Sequence, residues 1–440
     1  MAFSANSVEA SARKRTTIHT MTSVLPGYEE AAALVADCAR KLLRLRPPAE
    51  RLPLTQASGR VLAQPVVADR DQPPFARSTR DGYACRAAEA NNRKPLIISG
   101  ATRAGDAPSG PLPPGSVWEI MNGAPLPSGA DAVMAFQDVS AASGKKVRLL
   151  SARAIKPGQN AVAQGAHARA AEELLPTGTA LLVRQIALAA ACGYAEFEVF
   201  RRPRVAILAT GDELVPASTA PAPGQIRNSN GPMLAALVAA AGGEPWMLPI
   251  AADNADALHK ALTGAADADL LLISGGVSVG KFDLVEPALA RLGARFHFTG
   301  VRIQPGKPAV FGELKRGEKQ IGPQQPTLPF FALPGNPVAT AVAFQLFAAP
   351  LLAALAGSRQ SLPRFALARL SESCDQKGKP GLTRFLPAFC DFTAKPPRAA
   401  LIPTHGSGDL TALARSNCFL ILPEDARRQK SGALTNILLL

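Results

Sequence analysis

The spacing of apolar positions changes along the chain and divides it into segments. After Pro26-Gly27, the residues Leu34, Cys38, Leu42 and Leu45 recur at i, i+4, i+8 and i+11, the spacing of one helical face. Arg40, Lys41, Arg44 and Arg46 crowd its last turns, where they offset the negative helix end, and Pro47-Pro48 stop it. Between 52 and 152 the pattern breaks into short runs: Arg60–Leu62, Leu96–Ile98, Val117–Met121, Ala132–Ala135 and Val147–Leu150. Gly, Pro, Ser and Asp separate them, which predicts a small β-rich domain. From Arg204 the runs lengthen and alternate. Strands are predicted at Val205–Leu208, Trp246–Ile250, Leu270–Ile273 and Phe330–Leu333. Helices are predicted after Ser229-Asn230-Gly231-Pro232 (ending at Gly242-Gly243), at Asp256–Ala265, at Leu284–Leu292 and at Pro337–Leu355. Alternation of this kind implies a doubly wound parallel α/β domain with helices on both faces. The last eighty residues, proline-rich with short apolar runs, predict a small C-terminal β domain. The expected boundaries are a disordered tail at 1–22 (with Met21 as an alternative start), a linking domain at 23–52 and 153–184, the β-rich domain at 53–152, the α/β domain at 185–358 and the C-terminal domain at 359–440.

Composition narrows the partners. A chain of 440 residues holds about three or four domains. Only 5% of residues are aromatic, which argues against base-stacking nucleic-acid modules. The net charge of +14 suits an anionic partner or a solvated basic surface. The cations are dispersed, the longest cluster being Arg13-Lys14-Arg15. Cys38, Cys85, Cys192, Cys374, Cys390 and Cys418 form no C-x-x-C pair; they read as reduced, buried thiols of a cytoplasmic protein. The first 22 residues lack a secretory apolar core, and no spanning helix or membrane partner is expected.

Candidate chemistry gathers at the strand ends of the α/β segment. In an open parallel sheet, ligands bind beyond the carboxyl ends of the strands. Thr210-Gly211-Asp212-Glu213 follows the first strand, Ser274-Gly275-Gly276-Val277-Ser278 through Asp283 follows the third, and Pro334-Gly335-Asn336 follows a later one. Glycines beside helix starts let backbone N–H groups approach an anion. Glu213, Asp253 and Asp283 on one sheet edge make an oxygen-only donor set suited to Mg²⁺ and phosphate. Each acid alone also reads as an ordinary helix cap. Gly275-x-x-x-x-Gly280-Lys281 fits most of a P-loop, but Phe282 stands where Ser or Thr should reach the metal, so an ATPase is disfavoured. In the β-rich segment, Ser78-Thr79-Arg80-Asp81-Gly82-Tyr83-Ala84 and Ile120-Met121-Asn122-Gly123-Ala124-Pro125 each read as a turn.

Taken in order, these segments, together with Ser229-Asn230, Pro305-Gly306-Lys307-Pro308, Leu333-Pro334-Gly335-Asn336-Pro337-Val338 and Gly406-Ser407-Gly408, resemble the molybdopterin molybdenumtransferase family, which includes bacterial MoeA and the E domain of gephyrin. The resemblance runs from about Gly27 to the C-terminus. It implies an elongated four-domain subunit that forms a homodimer, with the active site between the α/β domain of one subunit and the Asp-Gly-Tyr-Ala domain of the other. It implies molybdate and adenylylated molybdopterin as substrates, Mg²⁺ as cofactor, AMP as a product, and molybdopterin adenylyltransferase as a partner. Asp81, Glu213, Asp253 and Asp283 are then the catalytic acids, the last three as metal ligands. Ser78, Asn122, Asn230, Gly275, Gly276, Ser278, Pro334, Gly335, Asn336 and Ser407 are the substrate-binding positions.

The chain departs from the family pattern at several places. Asn122 replaces a Thr, Gly165-Ala166-His167 replaces Gly-Glu-Asp, Gly300 and Gln304 replace two lysines, and Pro387 replaces an arginine. Arg302 and Lys307, with Arg384 nearby, are the cations closest to these gaps. If 300–304 is an extended strand, Arg302 shares a face with Gly300 and Gln304 and becomes the expected substitute. A non-catalytic molybdopterin-binding scaffold with a partly lost site is the alternative reading.

Overall fold

The structure is a computed structural model, and it describes residues 25–107, 110–150, 154–277, 284–316, 326–359, 363–375, 381–425 and 428–440. Its centre is a six-stranded sheet in the order Glu244–Met247, Arg204–Ala209, Leu270–Ser274, Thr327–Leu333, Val310–Lys315, Arg295–Thr299. The first four strands are parallel. Leu270–Ser274 is buried along its whole length, as a central strand covered on both faces must be. The sheet is mixed and not wholly parallel: Val310–Lys315 and Arg295–Thr299 run antiparallel at one edge. Arg295, His297 and Thr299 interrupt the apolar run of the outermost strand, so it carries only a half-buried signature. Helices Ala255–Gly264 and Val285–Arg291 cover one face; Asn230–Ala240 and Pro337–Leu355 cover the other.

Pro337–Leu355 is long and apolar enough to cross a membrane, yet 89% of its apolar window is buried inside the protein. It is the core helix. Tyr28–Leu43 packs along it, presenting Ala31, Val35, Cys38 and Leu42. Cys38 and Leu42 lie on the buried face as expected, but Leu34 is 39% and Leu45 40% exposed: Ala31 and Val35 are buried in place of Leu34, and Leu45 lies beyond the helix end at Leu43. This helix therefore shares the α/β core and not that of the linking region.

The linking region has its own small cluster: Ala57, Leu62, Val66, Leu181, Ala189, Cys192, Phe197 and Val199. Strand Ala49–Pro53 pairs antiparallel with Glu196–Phe200. A boundary at 184/185 would cut through helix Val183–Ala191, and the Arg60–Leu62 run belongs here and not in the β-rich domain. That domain is a six-stranded sheet in the order Ala132–Ala135, Gly82–Cys85, Ser116–Ile120, Leu96–Thr102, Lys146–Leu149, Val139–Ala142.

The C-terminal part closes on itself. Thr383–Asp391, Arg398–Leu401, Phe365–Leu370, Leu434–Leu439 and Cys418–Leu422 pair in sequence, and the last returns to the first. Closure removes the open edges of a sheet. Ile303–Gln304 adds to this ring beside Thr383-Arg384 and so ties the α/β domain to it. All six cysteines are buried and none is in a disulfide. Burial pushes the Cys38, Cys85 and Cys418 thiols up to about 12, so they stay protonated packing groups.

Candidate functional site

The parallel strands end where the α/β domain meets the C-terminal ring, and two clefts open there. The tighter, ≈ 320 Å³, is lined by Thr210, Glu213, Asn228, Asn230, Ser274, Gly275, Gly335 and Asn336 among others. It joins the three expected loops at one place. Strand pairing causes this: Thr210 N donates to Ser274 O (3.0 Å) and Gly275 N to Leu333 O (3.2 Å), so the loop starts are locked side by side. Gly275 has φ +99 and Gly276 φ +63. A Cβ at 275 would run into the Thr210 carbonyl oxygen, so only glycine lets the two turns approach.

The wider cleft, ≈ 630 Å³, lies between the α/β domain and the ring and is lined by Gln304, Lys307, Pro334, Asn336, Arg384, Pro387, Thr404 and Ser407 among others. Among the described residues lining it, Lys307 and Arg384 are cations and none is acidic. Asn336 belongs to both clefts, and its Nδ2 donates to Ser407 Oγ at 2.9 Å. Val338 N donates to the Ser407 carbonyl (3.0 Å). The Asn336–Ser407 pair is thus the seam between a tight cleft lined by both Glu213 and Arg227 and a wide one whose described charged residues are both cations.

The expected acids divide. Glu213 lines the tight cleft; its carboxylate folds back over Gly211, where a Cβ would stand 2.5 Å from Oε2. Asp253 sits behind the cleft: its Oδ1 accepts from Thr210 Oγ1 at 2.6 Å and its N–H donates to Asp212 Oδ1 at 3.0 Å. It aims the Thr210 hydroxyl. Asp283 and Ser278 lie outside the described residues. Among the described residues, no three Asp, Glu, His or Cys side chains gather as a metal site. Asp81 accepts from Asn122 N at 2.7 Å through Oδ1, and Ser78 is buried, its Oγ donating to the Arg80 carbonyl (2.6 Å). Ser78, Asp81 and Asn122 form one loop pair on the β-rich domain and line neither cleft.

Arg302 departs from expectation. The run 300–304 is not one strand: only Ile303–Gln304 is paired, and Gly300 has φ +134. The alternation argument therefore fails. Arg302 donates through Nη1 to the Leu25 carbonyl (3.2 Å) and lies 3.6 Å from Glu424, so it anchors the start of the described chain. Gly300 packs against Leu25. Gln304 and Pro387, where the family resemblance leads one to expect cations, do line the wide cleft. Arg384 is the register partner of Gln304 and only 7% exposed: it places a charge across the strand pair from the missing lysine. The residues that local reading passed over are Thr210 and Ser274, hydroxyls already inside the quoted motifs; Arg384 was named only as a cation near the gaps, and its place beside Gln304 depends on a pairing 80 residues apart.

Comparison with known proteins agrees with this architecture. Residues 27–193 match the family model for the MoeA N-terminal region (domains I and II), 206–354 a probable molybdopterin binding domain, and 369–440 the MoeA C-terminal region (domain IV). The chain is 34% identical to a molybdopterin molybdenumtransferase of Nostoc, covering 91% of this chain and 90% of that protein. It is 33% identical to one of Bacillus subtilis, covering 89% and 90%. A solved molybdopterin biosynthesis MoeA protein of Pyrococcus horikoshii matches with TM-score 0.74 at 28% identity, covering 95% of this chain and 100% of that one. With three family models matching in order around the two-cleft junction and relatives above 30% identity along most of its length, the chain belongs to the molybdopterin molybdenumtransferase family and is a transferase of molybdenum cofactor biosynthesis.

Proposed function

We propose that this protein inserts molybdenum from molybdate into adenylylated molybdopterin with release of AMP, and that it does so across the junction of the two clefts. The observation that carries this is the seam itself. One substrate is a small oxoanion and the other a large phosphorylated pterin, and the chain offers a wide cleft with the cations Lys307 and Arg384 and a tight cleft with both Glu213 and Arg227, which meet at Asn336 and Ser407. Lys307 and Arg384 hold molybdate in the wide cleft by charge-assisted hydrogen bonds. Ser407 Oγ accepts from Asn336, which leaves its proton for an oxoanion oxygen. Pro334 in the wide cleft and Gly275 and Gly335 in the tight one shape the floor on which the substrate lies. Mg²⁺ takes oxygen donors; of the three expected acids Glu213 is the one that lines the tight cleft and would hold it, Asp253 being turned to the Thr210 hydroxyl, and when bound it would offset charge on the phosphoanhydride. Asp81 and Asn122 reach the site from a partner subunit in a homodimer, since in their own chain they line neither cleft.

The direct test mixes purified protein, adenylylated molybdopterin, molybdate and Mg²⁺ and follows AMP. Release that depends on molybdate supports the reading. Binding of molybdopterin without AMP release selects the non-catalytic scaffold instead, which the uncharged Gly300, Gln304 and Pro387 favour.

The cation assignment has its own test. Arg384→Ala is expected to raise the apparent Kd for molybdate about 10-fold or more, the scale of one lost hydrogen bond to a charged group. Arg302→Ala leaves that Kd unchanged and lowers thermal stability, because its partners are Leu25 and Glu424. Titration calorimetry with molybdate decides it: an unchanged Kd for Arg384→Ala, or a raised one for Arg302→Ala, overturns the assignment.

A further inference from the structure

The lining of the wide cleft is one-sided in its hydrogen bonding. Lys307 and Arg384 bring only donors, and among the described residues no carboxylate lines the cleft. An acid does lie close in sequence: Asp409 follows Ser407 by two residues. Its carboxylate is turned to the start of helix Leu410–Arg415, where it accepts from the His405, Thr411 and Ala412 N–H groups. Lining carbonyls are drawn into the protein's own bonds. Those of Gly306, Lys307 and Pro387 accept from Ala309, Val301 and Ile402 N–H, and those of Asn336 and Ser407 from Thr340 and Val338 N–H. Ser407 Oγ accepts from Asn336 Nδ2. The side-chain acceptors that remain are neutral, chiefly the amide oxygens of Gln304 and Asn336, and each of those amides carries two N–H donors as well.

Tetrahedral oxoanions differ in what they ask of such a lining. Near neutral pH, molybdate and sulfate carry no proton, so every oxygen is an acceptor and meets donors. Inorganic phosphate keeps at least one P–O–H under the same conditions, and that hydroxyl needs an acceptor. A carboxylate would give it a charge-assisted bond, and the described lining offers none. Arg384 is only 7% exposed, so an anion that reaches it leaves bulk water, and an O–H carried in without a partner costs binding free energy. Selectivity then comes from what the lining withholds as much as from what it offers.

We propose that the wide cleft is a carboxylate-free, donor-rich oxoanion site that admits proton-free tetrahedral dianions and rejects inorganic phosphate, with the uncharged Gln304 as one determinant of the choice. This deepens the proposed function and rests on its placement of the oxoanion beside Lys307 and Arg384. The consequence is that molybdate is taken up in the presence of inorganic phosphate.

Calorimetric titration of the full chain, slightly above neutral pH, compares molybdate, sulfate, inorganic phosphate and monofluorophosphate. Monofluorophosphate has fluorine in place of the P–O–H, so it keeps the shape and double charge of hydrogenphosphate but brings no proton. It is expected to bind like sulfate, and phosphate at least about 10-fold more weakly. Phosphate bound as tightly as monofluorophosphate overturns the inference, as does a chain that binds neither molybdate nor monofluorophosphate; neither result depends on a variant. Gln304→Glu supplies the missing acceptor at an exposed position with almost no change of volume. It is expected to bring the preference for monofluorophosphate over phosphate to near unity and to weaken molybdate. A preference left unchanged in Gln304→Glu means that something other than a missing acceptor excludes phosphate, and it overturns the inference as well. The turnover assay is read separately. Molybdate-dependent AMP release without the preference sinks only this inference, whereas the preference without AMP release sinks only the catalytic reading.

Discussion

Asp81→Asn and Glu213→Gln are each expected to lower molybdate-dependent AMP release by at least ~100-fold, the scale of losing one electrostatic catalytic group. Both replacements keep volume and remove one charge. Glu213 is exposed in the tight cleft and Asp81 is exposed on its loop, so neither change opens a cavity, and thermal stability should barely move. The pair also tests where the site is built. If Asp81 serves the clefts of a partner subunit, a dimer of one Asp81→Asn chain and one Glu213→Gln chain has one intact site and one doubly damaged site. Random pairing after co-expression then restores about a quarter of wild-type turnover. If Asp81 works in its own chain, every site in the mixture lacks one acid and the mixture stays as inactive as its parents. Recovery near zero, or a single-chain mass by light scattering at micromolar concentration, sinks the shared site.

Gly275→Ala is expected to destabilise the α/β domain by about 2–4 kcal/mol, from backbone strain at positive φ together with a collision that cannot relax. Gly275 has φ +99, and its new Cβ would meet the Thr210 carbonyl oxygen. That oxygen cannot withdraw. Thr210 N is bonded to Ser274 O, Gly275 N is bonded to Leu333 O, and the Thr210 hydroxyl is held by Asp253. Gly224→Ala is the control: its φ is +86, and nothing lies within 4 Å of the Cβ position. It carries the conformational strain without the collision, about 1 kcal/mol. Denaturant melts of the two variants should differ clearly, and turnover should fall only for Gly275→Ala, since Thr210 lines the cleft. Equal melts would mean that the close approach of the two turns has no energetic consequence.

The chain's periodicity alone determined much of the centre of the fold. A run such as Leu270–Ser274, apolar on both faces, has few places to go except the middle of a covered sheet, and Asn230–Ala240 was bounded by its own Pro232 and Gly242. The glycine turns at 211, 275 and 335 were legible because their conformational need is local. Four features were not, and each is set by contacts distant in sequence. Tyr28–Leu43 joined the α/β core because its small residues fit Pro337–Leu355, a match that no window of the helix itself contains. Arg302 turned away from the clefts because 300–304 is bent at Gly300, which defeats an alternation argument that assumes a straight strand. Arg384 and Asn230 took their roles only on folding. One is set opposite Gln304 by the pairing of strands 80 residues apart; the other is stripped of water and left one donor short by Ser274 and Gly335. Residue types and turn chemistry are properties of short segments and can be read from them. Register across distant strands and the desolvation of a single oxygen exist only when the segments meet, so the tertiary structure alone decided that Arg384 lines the wide cleft and that Asn230 Oδ1 is buried without a donor.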